Sequence, residues 1–517
     1  MKKFITTTLI GVCFTNQLIF SANAKNHRKY NVIVIYADDL GYGDVSCYGS
    51  KAIKTPNIDC LAETGVKFTD AHSSAATCTP SRVALLTGQY AFRTKAHILT
   101  GDAKLVIDPN TETVADVFKS ANYNTAVIGK WHLGLGRGKK KINWNKEISY
   151  GPRELGFDYS FLVPATGDRV PCVYLENQKV INLDPNDPIE VNYKKKIGSE
   201  PTFRENPNSK VKQKPSDTYH DKTIVNGVSR IGYMSGGKSA LWKDEDMADT
   251  LTRVAKEYIN KNQKQPFFLY FSLHDPHVPR MPHPRFVGKT KLGPRGDAIV
   301  QADWCVGEII NELEKLNLRE KTLIIFSSDN GPVLDNGYED QSLELNNNHK
   351  IAGGFSGRKS SNLEGGTRVP FIVSLPTVTK KSESNALVSQ VDFIASMANF
   401  LRIKLNDESA LDSMNQISTW LGQEHKGRKF LITEARDLSL RDGSWKYISY
   451  KKNSYPKLID GYRLGTLNTA QLYNLTTDMK ETNNLAATLP QKITQMKAML
   501  KLIKQKPNAQ KVIYQNH

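Results

Sequence analysis

Five short apolar runs, separated by stretches with helical periodicity, span most of the first 400 residues of this chain. The runs are 32–36, 125–129, 267–273, 323–328 and 369–375. Apolar residues follow one another in these runs instead of alternating with polar ones, which is typical of parallel strands covered on both faces. Helical patterns lie between them, at 57–65, 247–261 and 298–318. This alternation predicts an α/β fold, a mostly parallel sheet sandwiched by helices.

The same patterns predict how the chain is divided. Residues 25–400 contain all five apolar runs and form the predicted main domain. Within it, residues 176–240 are rich in Lys, Asn, Pro and Ser, which indicates an insertion of loops over the sheet edge. Residues 401–517 form a smaller predicted α+β subdomain with a short antiparallel sheet and a helix. Its predicted strands are 429–435, 445–450 and 471–475, and its helix is 488–504.

The N-terminus has the composition of an export signal. Residues 1–24 combine two lysines, an apolar stretch and a final A-N-A, which predicts a signal peptide cut near Ala24. We therefore expect an exported protein, periplasmic or secreted, without a membrane span. A lipoprotein anchor at Cys13 is the alternative, and Val12 is bulky where such signals carry a small residue.

Charge and cysteine content narrow the possible partners. The net charge of +18 suggests an anionic partner such as nucleic acid, anionic lipid or sulfated polysaccharide. The lysine runs 139–141 and 194–196 have no interleaved aromatic residues, so each is interpreted as a solvated surface and no nucleic acid is expected. Five cysteines remain after the signal peptide, which leaves at least one thiol unpaired. The absence of a C-x-x-C motif or a Cys/His cluster argues against zinc.

Polar residues follow four of the apolar runs, directly where each predicted strand ends. They are Asp38 and Asp39, Lys130 and His132, His274 and His277, and Asp329 and Asn330. A single such group is most often a turn. Because ligands bind outside the carboxyl ends of strands in open α/β sheets, the four groups together predict one crevice.

The acidic members of this set predict a metal site. Asp38, Asp39, Asp329 and Asn330 offer only hard oxygen ligands, which suit Ca²⁺ or Mg²⁺. Three carboxylates without a cation would repel one another. The basic side chains expected around the cation indicate a site for a tetrahedral oxyanion, sulfate or phosphate. These are Arg82, Lys130, His132, His277, Lys359 and Arg368.

The stretch 77-TCTPSRVALLTG-88 carries the most distinctive motif. Pro80 suits a first helical turn and Gly88 suits a helix end, so Cys78 is placed near a helix N-terminus, where free N–H groups favour anions. C-T-P-S-R followed by LLTG resembles the signature of the type I sulfatases, formylglycine-dependent arylsulfatases and bacterial glycan-degrading enzymes of the alkaline phosphatase superfamily. The resemblance covers nearly the whole mature chain, through DDLGYGD, GKWHLG, HDPHVP, SSDNGP, LEGGTRVPF and LYNLTTDMKETNNLA.

This resemblance implies an alkaline-phosphatase-like fold and a sulfatase mechanism. Cys78 would be oxidised to formylglycine by a maturation enzyme that reads C-x-P-x-R, and it is expected to be an exposed catalytic atom. One hydroxyl of the hydrated aldehyde attacks sulfur and displaces the alcohol, and deprotonation of the other expels sulfate. Asp38, Asp39, Asp329 and Asn330 would hold Ca²⁺.

The resemblance also implies a role for each basic residue. Arg82 would position the hydrated aldehyde, and His132 would take the proton that triggers sulfate release. Lys130 and Lys359 would clamp the sulfate oxygens. His277, together with Lys359, would protonate or stabilise the leaving alcohol.

Several further residues are candidates for substrate contact. Thr166 matches a serine near the sulfate in some relatives, and Asp168 and Arg169 are interpreted either as binding sugar hydroxyls or as a surface ion pair. His349 lies in a polar loop and is interpreted either as contacting the substrate or as an exposed loop residue. His274 is interpreted as structural or substrate-facing.

The sequence favours hydrolysis of sulfate monoesters on a carbohydrate. The resemblance to glycan-degrading sulfatases favours an exo-acting enzyme on a host or algal polysaccharide. A phosphate or phosphonate ester hydrolase of the same superfamily is the nearest alternative. A non-catalytic receptor for sulfated glycans is a third, and the complete set of catalytic residues argues against it.

Overall fold

A computed structural model of the protein describes residues 29–506, in which the chain forms 22 strands and ten α-helices. The predicted signal peptide lies outside the described residues. The strands are β1 Asn31–Ala37, β2 Gly65–Phe68, β3 Ala71–His72, β4 Asn124–Lys130, β5 Tyr159–Val163, β6 Leu175–Glu176, β7 Lys179–Val180, β8 Glu190–Asn192, β9 Ile224–Val225, β10 Val228–Ser229, β11 Tyr233–Ser235, β12 Phe267–Ser272, β13 Thr322–Ser328, β14 Phe371–Ser374, β15 Ser382–Ser384, β16 Val388–Ser389, β17 Phe430–Glu434, β18 Leu438–Asp442, β19 Trp445–Ile448, β20 Leu458–Ile459, β21 Tyr462–Arg463 and β22 Gln471–Asn474. The helices are α1 Pro56–Glu63, α2 Cys78–Thr87, α3 Ala91–Thr94, α4 Val114–Ser120, α5 Met247–Lys261, α6 Gly293–Lys315, α7 Glu364–Thr367, α8 Phe393–Leu401, α9 Ile417–Trp420 and α10 Pro490–Gln505.

Ten strands form the central sheet, in the order β15-β2-β14-β13-β1-β12-β4-β5-β6-β7. The five strands β13, β1, β12, β4 and β5 run parallel to one another. Every residue of β1, β12 and β13 is buried, as expected for strands covered on both faces. The predicted α/β class and the mostly parallel sheet are therefore confirmed.

The last of the five predicted parallel strands has the opposite direction. β14, from the apolar run 369–375, pairs antiparallel with β13, and β2 pairs antiparallel with β14. After the carboxyl end of β13, the chain passes through α7, which lies at that same end of the strand. It therefore enters β14 beside the end of β13 and runs back in the opposite direction. A continuous apolar run reports burial on both faces and carries no information on direction, which is why the sequence did not distinguish the two.

Helices cover both faces of the sheet. Neighbouring side chains of a strand point to opposite faces, and the ring of Phe267 packs on Tyr258 of α5, whereas the ring of Phe268 packs on Phe118 of α4 and Phe393 of α8. α5 matches the predicted helix 247–261 and buries an apolar stripe at helical spacing. Within residues 29–506, none of the helices combines the length and apolar character that a bilayer crossing requires.

The C-terminal part forms a separate antiparallel sheet. β17, β18, β19 and β22 pair in that order, and α10 follows them. The sequence predicted three of these strands and missed β18. Its core side chains meet Ala84 of α2 and Tyr90, so this sheet packs against the helix that begins at Cys78. Residues 176–240 contain short paired strands and a 3₁₀ turn at Lys238–Ala240, and the domain boundaries stay predictions.

Candidate active site

The carboxyl ends of four adjacent parallel strands bring the predicted polar residues together. Asp38 follows β1, Lys130 ends β4, and Asp329 follows β13. The Lys130 ammonium forms an ion pair with the Asp38 carboxylate and lies 3.8 Å from an Asp329 oxygen. These side chains are all buried. The crevice predicted from the strand ends is therefore present at this edge of the sheet.

Cys78 is the first residue of α2, and it interacts electrostatically with Lys130, Lys359, Asp329 and Asp38 of the crevice. Its side chain is only 1% exposed, so the expectation of an exposed catalytic atom is wrong. All ten residues of α2 are buried, because the helix lies between α8 on one side and the C-terminal sheet on the other. The helix ends at Gly88, whose φ of +65° lies in the left-handed region, as the sequence predicted for a glycine stop.

The predicted metal ligands form one buried cluster. The Asn330 amide donates a hydrogen bond of 2.7 Å to Asp39, and the Asp39 N–H donates one of 3.3 Å to Asp329. Carboxylate oxygens of Asp38 and Asp39 and a nitrogen of His277 lie within 4.8 Å of one another. Two buried oxygens, Asp38 Oδ1 and Asn330 Oδ1, have no hydrogen-bond partner within residues 29–506.

These unpaired oxygens test whether the cluster fits a cation. A buried acceptor without a donor is costly, and a bound cation would satisfy both. Burial and the neighbouring Asp329 raise the pKa of Asp38, whereas Lys359 and Lys130 lower the pKa of Asp39 against the opposing effect of burial. The residues present fit a hard divalent cation held by oxygen.

Fixed positive charges surround the cluster. The guanidinium of Arg82 donates to Asp329 at 2.7 and 3.1 Å, and Lys359 Nζ lies 2.8 Å from Asp39. Arg82 also donates to Ser272 Oγ at 2.5 Å and to Tyr270 Oη at 3.2 Å.

Sequence reasoning missed Ser272 and Tyr270 as partners of the site. The signal was present, because these are the only hydroxyl-bearing residues in the apolar strand β12 and their spacing of two places them on one face.

The two predicted catalytic histidines each keep one ring nitrogen without a strong hydrogen bond. His132 Nε2 donates to the Leu99 carbonyl at 2.9 Å, and its Nδ1 has no hydrogen-bond partner among the described residues. His277 Nδ1 donates to the Val278 carbonyl at 2.7 Å, and its Nε2 lies 3.8 Å from Asp39. Burial, followed by nearby positive charges, lowers the pKa of both rings. Because His132 Nε2 and His277 Nδ1 donate to carbonyls, the other nitrogen of each neutral ring is the one that can accept a proton.

Hydrogen bonds join the loops that carry these groups. Thr79, one residue after Cys78, donates its hydroxyl to the His132 carbonyl at 2.9 Å. The Ser360 N–H, one residue after Lys359, donates to the Ala76 carbonyl at 2.8 Å. The nucleophile candidate, the base candidate and the lysine candidate are therefore held in one frame.

Thr166, Asp168 and Arg169 lie together, and Arg169 interacts electrostatically with both Cys78 and His132. Arg169 Nη1 donates to the Thr166 hydroxyl at 2.7 Å and to Asp168 at 2.7 and 2.9 Å. Asp168 is 2% exposed, so the pair is buried and the interpretation as a surface ion pair is wrong. His220 Nε2 lies 3.3 Å from Asp168, and no local pattern in the polar insertion pointed to it.

Two basic residues lie outside the frame. His349 Nε2 lies 2.9 Å from Asp44, a carboxylate that also pairs with Arg295, so its role in reading substrate stays a prediction. Arg368, expected beside the cation, instead pairs with Glu364 at 2.5 Å. Its sequence position after the E-G-G motif placed it near Lys359, but its side chain points into a separate cluster of charges.

Comparison with known proteins shows the family to which this chain belongs. A sequence model described as Sulfatase matches residues 30–403. A solved structure described with the metabolism of multiple glycosaminoglycans by Bacteroides thetaiotaomicron superposes with a TM-score of 0.90 at 47% identity, covering 93% of this chain and 100% of the other. The fold and site thus define a hydrolase of the alkaline-phosphatase-like superfamily. The chain belongs to the sulfatase family, whose members hydrolyse sulfate esters.

The curated relatives include bacterial and animal sulfatases. An N-acetylgalactosamine-6-O-sulfatase of Bacteroides thetaiotaomicron is 47% identical over 492 residues, which cover 95% of this chain and 96% of the relative. Arylsulfatase A of Homo sapiens is 30% identical over 387 residues, which cover 74% of this chain and 66% of that protein. A sulfatase structure from Pseudoalteromonas sp. superposes with a TM-score of 0.68 at 25% identity, covering 94% and 93% of the two chains.

Proposed function

We propose that this protein removes the 6-O-sulfate of N-acetylgalactosamine from sulfated glycans. The observation that carries the proposal is the 47% identity to an N-acetylgalactosamine-6-O-sulfatase across nearly the full length of both chains. The basic net charge favours an anionic glycan, and the N-terminal signal favours action outside the cytoplasm, in the periplasm or after secretion. The substrate is expected to be a chain end, as for an exo-acting enzyme.

The nucleophile in this proposal is formylglycine derived from Cys78. Burial raises the pKa of the Cys78 thiol, so the unmodified residue would be mostly protonated and a poor nucleophile at neutral pH. The intact C-T-P-S-R motif supports oxidation by a formylglycine-generating maturation enzyme. As a hydrated aldehyde, the group offers one hydroxyl to attack sulfur and a second whose deprotonation expels sulfate.

The cation in this proposal is Ca²⁺, held by Asp38, Asp39, Asp329 and Asn330. The unpaired oxygens of Asp38 and Asn330 support these ligands. When bound, the ion would supply positive charge that polarises the sulfate and favours ionisation of the attacking hydroxyl.

The remaining residues bind the sulfate and move protons. The ammonium groups of Lys130 and Lys359 neutralise sulfate oxygens, and both side chains are buried, where such charges act strongly. His132 Nδ1, unpaired and unprotonated, takes the proton of the second hydroxyl. Lys359 donates to the departing alcohol, and His277 does so once its Nε2 carries a proton; Arg82 holds Asp329 and the strand ends in place.

Asp168 and Arg169 are proposed to bind sugar hydroxyls. The Arg169 side chain is 14% exposed, and its ion pair with Asp168 fixes its direction. A carboxylate and a guanidinium side by side offer both acceptors and donors, which suits a hydroxyl pair on one face of a sugar.

The deciding experiment measures sulfate release from matched sulfated sugars. The panel contains N-acetylgalactosamine 6-sulfate, its 4-sulfate, N-acetylglucosamine 6-sulfate and galactose 6-sulfate, with an aryl phosphonate ester beside them. Preference for N-acetylgalactosamine 6-sulfate supports the proposal. Preference for another sugar overturns the substrate, and turnover of the phosphonate alone moves the protein to the other branch of the superfamily.

Peptide mass spectrometry on the active preparation tests the nucleophile. A mass about 18 Da below that of the thiol peptide at Cys78 identifies the aldehyde. Sulfate release by a preparation that contains only the thiol contradicts the formylglycine mechanism.

A further inference from the structure

The loop 166–169, which carries the three substrate-facing candidates, is fixed through the backbone of its one glycine. The Gly167 N–H donates to His274 Nε2 at 2.9 Å, and the Gly167 carbonyl accepts a hydrogen bond of 2.5 Å from Arg230. A Cβ at position 167 would lie 2.6 Å from His274 Nε2, so only glycine allows this close approach. Both polar groups of this peptide position are thus held by buried side chains.

Arg230 is itself held by several buried contacts. It is fully buried, and its two terminal nitrogens donate to the two oxygens of Asp244 at 2.8 and 2.7 Å. The planar fork of arginine reaches Asp244 and the Gly167 carbonyl together, which a lysine ammonium cannot do with the same geometry. The adjacent Ile231 N–H donates to the Asp168 carbonyl at 2.7 Å. Two consecutive residues of the 176–240 insertion, Arg230 and Ile231, therefore hold the loop through its carbonyl groups.

His274 connects the loop to the catalytic histidine. Its carbonyl accepts a hydrogen bond of 3.0 Å from the His277 N–H, and the two rings lie 5.7 Å apart at 69°. Accepting from Gly167 requires an unprotonated Nε2. Burial lowers the pKa of His274 to about 4, which keeps that nitrogen unprotonated near neutral pH.

We propose that His274 and Arg230 are positioning residues that clamp the backbone of Gly167 and so set the 166–169 loop against His277 and Cys78. The clamp gives the bound sugar a fixed orientation relative to the groups that attack its sulfate. This inference rests on the proposed function in one respect, that the 166–169 loop contacts the sugar.

The test compares His274→Leu, which removes the acceptor, with His274→Gln, whose Oε1 can replace it. The readout is the ratio of kcat/KM for N-acetylgalactosamine 6-sulfate to kcat/KM for a sugar-free aryl sulfate. We expect His274→Leu to lower this ratio about 10-fold or more, mainly through KM, and His274→Gln to recover most of it. Equal losses on both substrates, or equal ratios in the two variants, overturn the clamp.

A second measurement needs no turnover. Amide hydrogen exchange of residues 165–170 is expected to be faster in His274→Leu and in Arg230→Lys than in His274→Gln, because an unclamped loop opens more often. Unchanged exchange in both variants overturns the clamp, with melting curves reporting whether each variant folds. If the wild type cleaves no sulfated sugar but the exchange pattern holds, the proposed function fails and the clamp stands.

Discussion

Two residues of the crevice have a positive φ, a backbone conformation that residues other than glycine rarely adopt. Asp39 has a φ of +62° and His132 a φ of +52°. Such conformations cost on the order of 1 kcal/mol each, and they persist where neighbouring contacts fix them. The Asn330 amide holds Asp39 and the Leu99 carbonyl holds His132. Such conformations also occur elsewhere in the described chain, and within the crevice they fall on a residue proposed to bind the cation and on the one proposed to move the proton.

Replacement of the proposed nucleophile is the first prediction. Cys78→Ala should lower sulfate release on the order of 10³-fold or more, because no other group can form the covalent intermediate. Its stability should change by less than ~2 kcal/mol, since only one small buried side-chain group is removed. Kinetics and chemical denaturation measure the two effects, with Cys60→Ala, at an exposed thiol, as the control. Near-normal turnover of Cys78→Ala would refute the assignment.

Removal of the cation is the second prediction. EGTA should lower both activity and melting temperature, because Asp38, Asp39 and Asp329 then repel one another in a buried site. Added Ca²⁺ should restore both. Asn330→Leu, which removes one unpaired oxygen, should weaken the Ca²⁺-induced rise in melting temperature. Full activity and an unchanged melting curve in EGTA would exclude a required metal.

The sequence predicted the buried elements well and their directions less well. The runs 32–36 and 323–328 became β1 and β13, and the helix 247–261 matched α5, because burial leaves a clear apolar pattern. β5, with the sequence YSFLV, was missed because a tyrosine and a serine interrupt its apolar run.

Within the site, the residue types at the strand ends predicted which side chains lie close together. The long-range main-chain hydrogen bonds, in contrast, could not be predicted from the sequence. The clamp on Gly167 joins a loop, an insertion and a turn through main-chain atoms. The pairing of Ala75 with Glu434 is another such contact. Any residue can supply main-chain groups, so its type cannot reveal these contacts.

The end of β17 supplies the third prediction. Glu434 donates its N–H to the Ser74 carbonyl at 3.0 Å and accepts from the Ala76 N–H at 2.7 Å, close to Cys78 in sequence. Its side-chain Oε2 has no hydrogen-bond partner among the described residues, and burial raises the pKa of Glu434 to about 7. A raised pKa means that its contribution to stability is complete below about pH 4.5 and is lost as the pH rises through 7.

Glu434→Gln should therefore change how stability depends on pH. The variant has no carboxylate to ionise in a buried site. The free energy of unfolding of the variant minus that of the wild type should therefore be about 2 kcal/mol larger at pH 8 than at pH 5. Denaturant unfolding at the two pH values measures this gain. Glu424→Gln, at an exposed glutamate, is the control. Parallel pH profiles of Glu434→Gln and the wild type would show that ionisation of Glu434 does not lower the free energy of unfolding.

Across the whole molecule, a buried network of charges joins the C-terminal sheet to the main sheet. Glu364 lies at its centre, bound by Arg368 at 2.5 Å and by Lys446 of β19 at 2.8 Å, and Lys446 also lies 2.9 Å from Glu481. The members from the main sheet side are Asp70, His72, Glu364 and Arg368, and those from the C-terminal part are Arg441, Lys446 and Glu481. Glu364 follows Lys359 by five residues, so this network also anchors the loop of a proposed catalytic lysine.

The fourth prediction concerns that network. Lys446→Met should destabilise the protein by about 3 kcal/mol, because Glu364 and Glu481 lose a shared buried cation. Arg253→Met removes an exposed pair with Glu257 and should cost less than about 1 kcal/mol. Denaturant unfolding of both variants measures the difference. Equal, small losses would mean that the buried charges contribute little to joining the two sheets.

If Cys78 is oxidised as proposed, the complete burial of α2 has a consequence for biogenesis. Every residue of C-T-P-S-R is buried in the folded protein, beneath elements that include the last strands to be synthesised. A maturation enzyme would therefore need to reach Cys78 before the C-terminal sheet closes over it. The active fraction of a preparation would then depend on how much of the chain is modified before it folds.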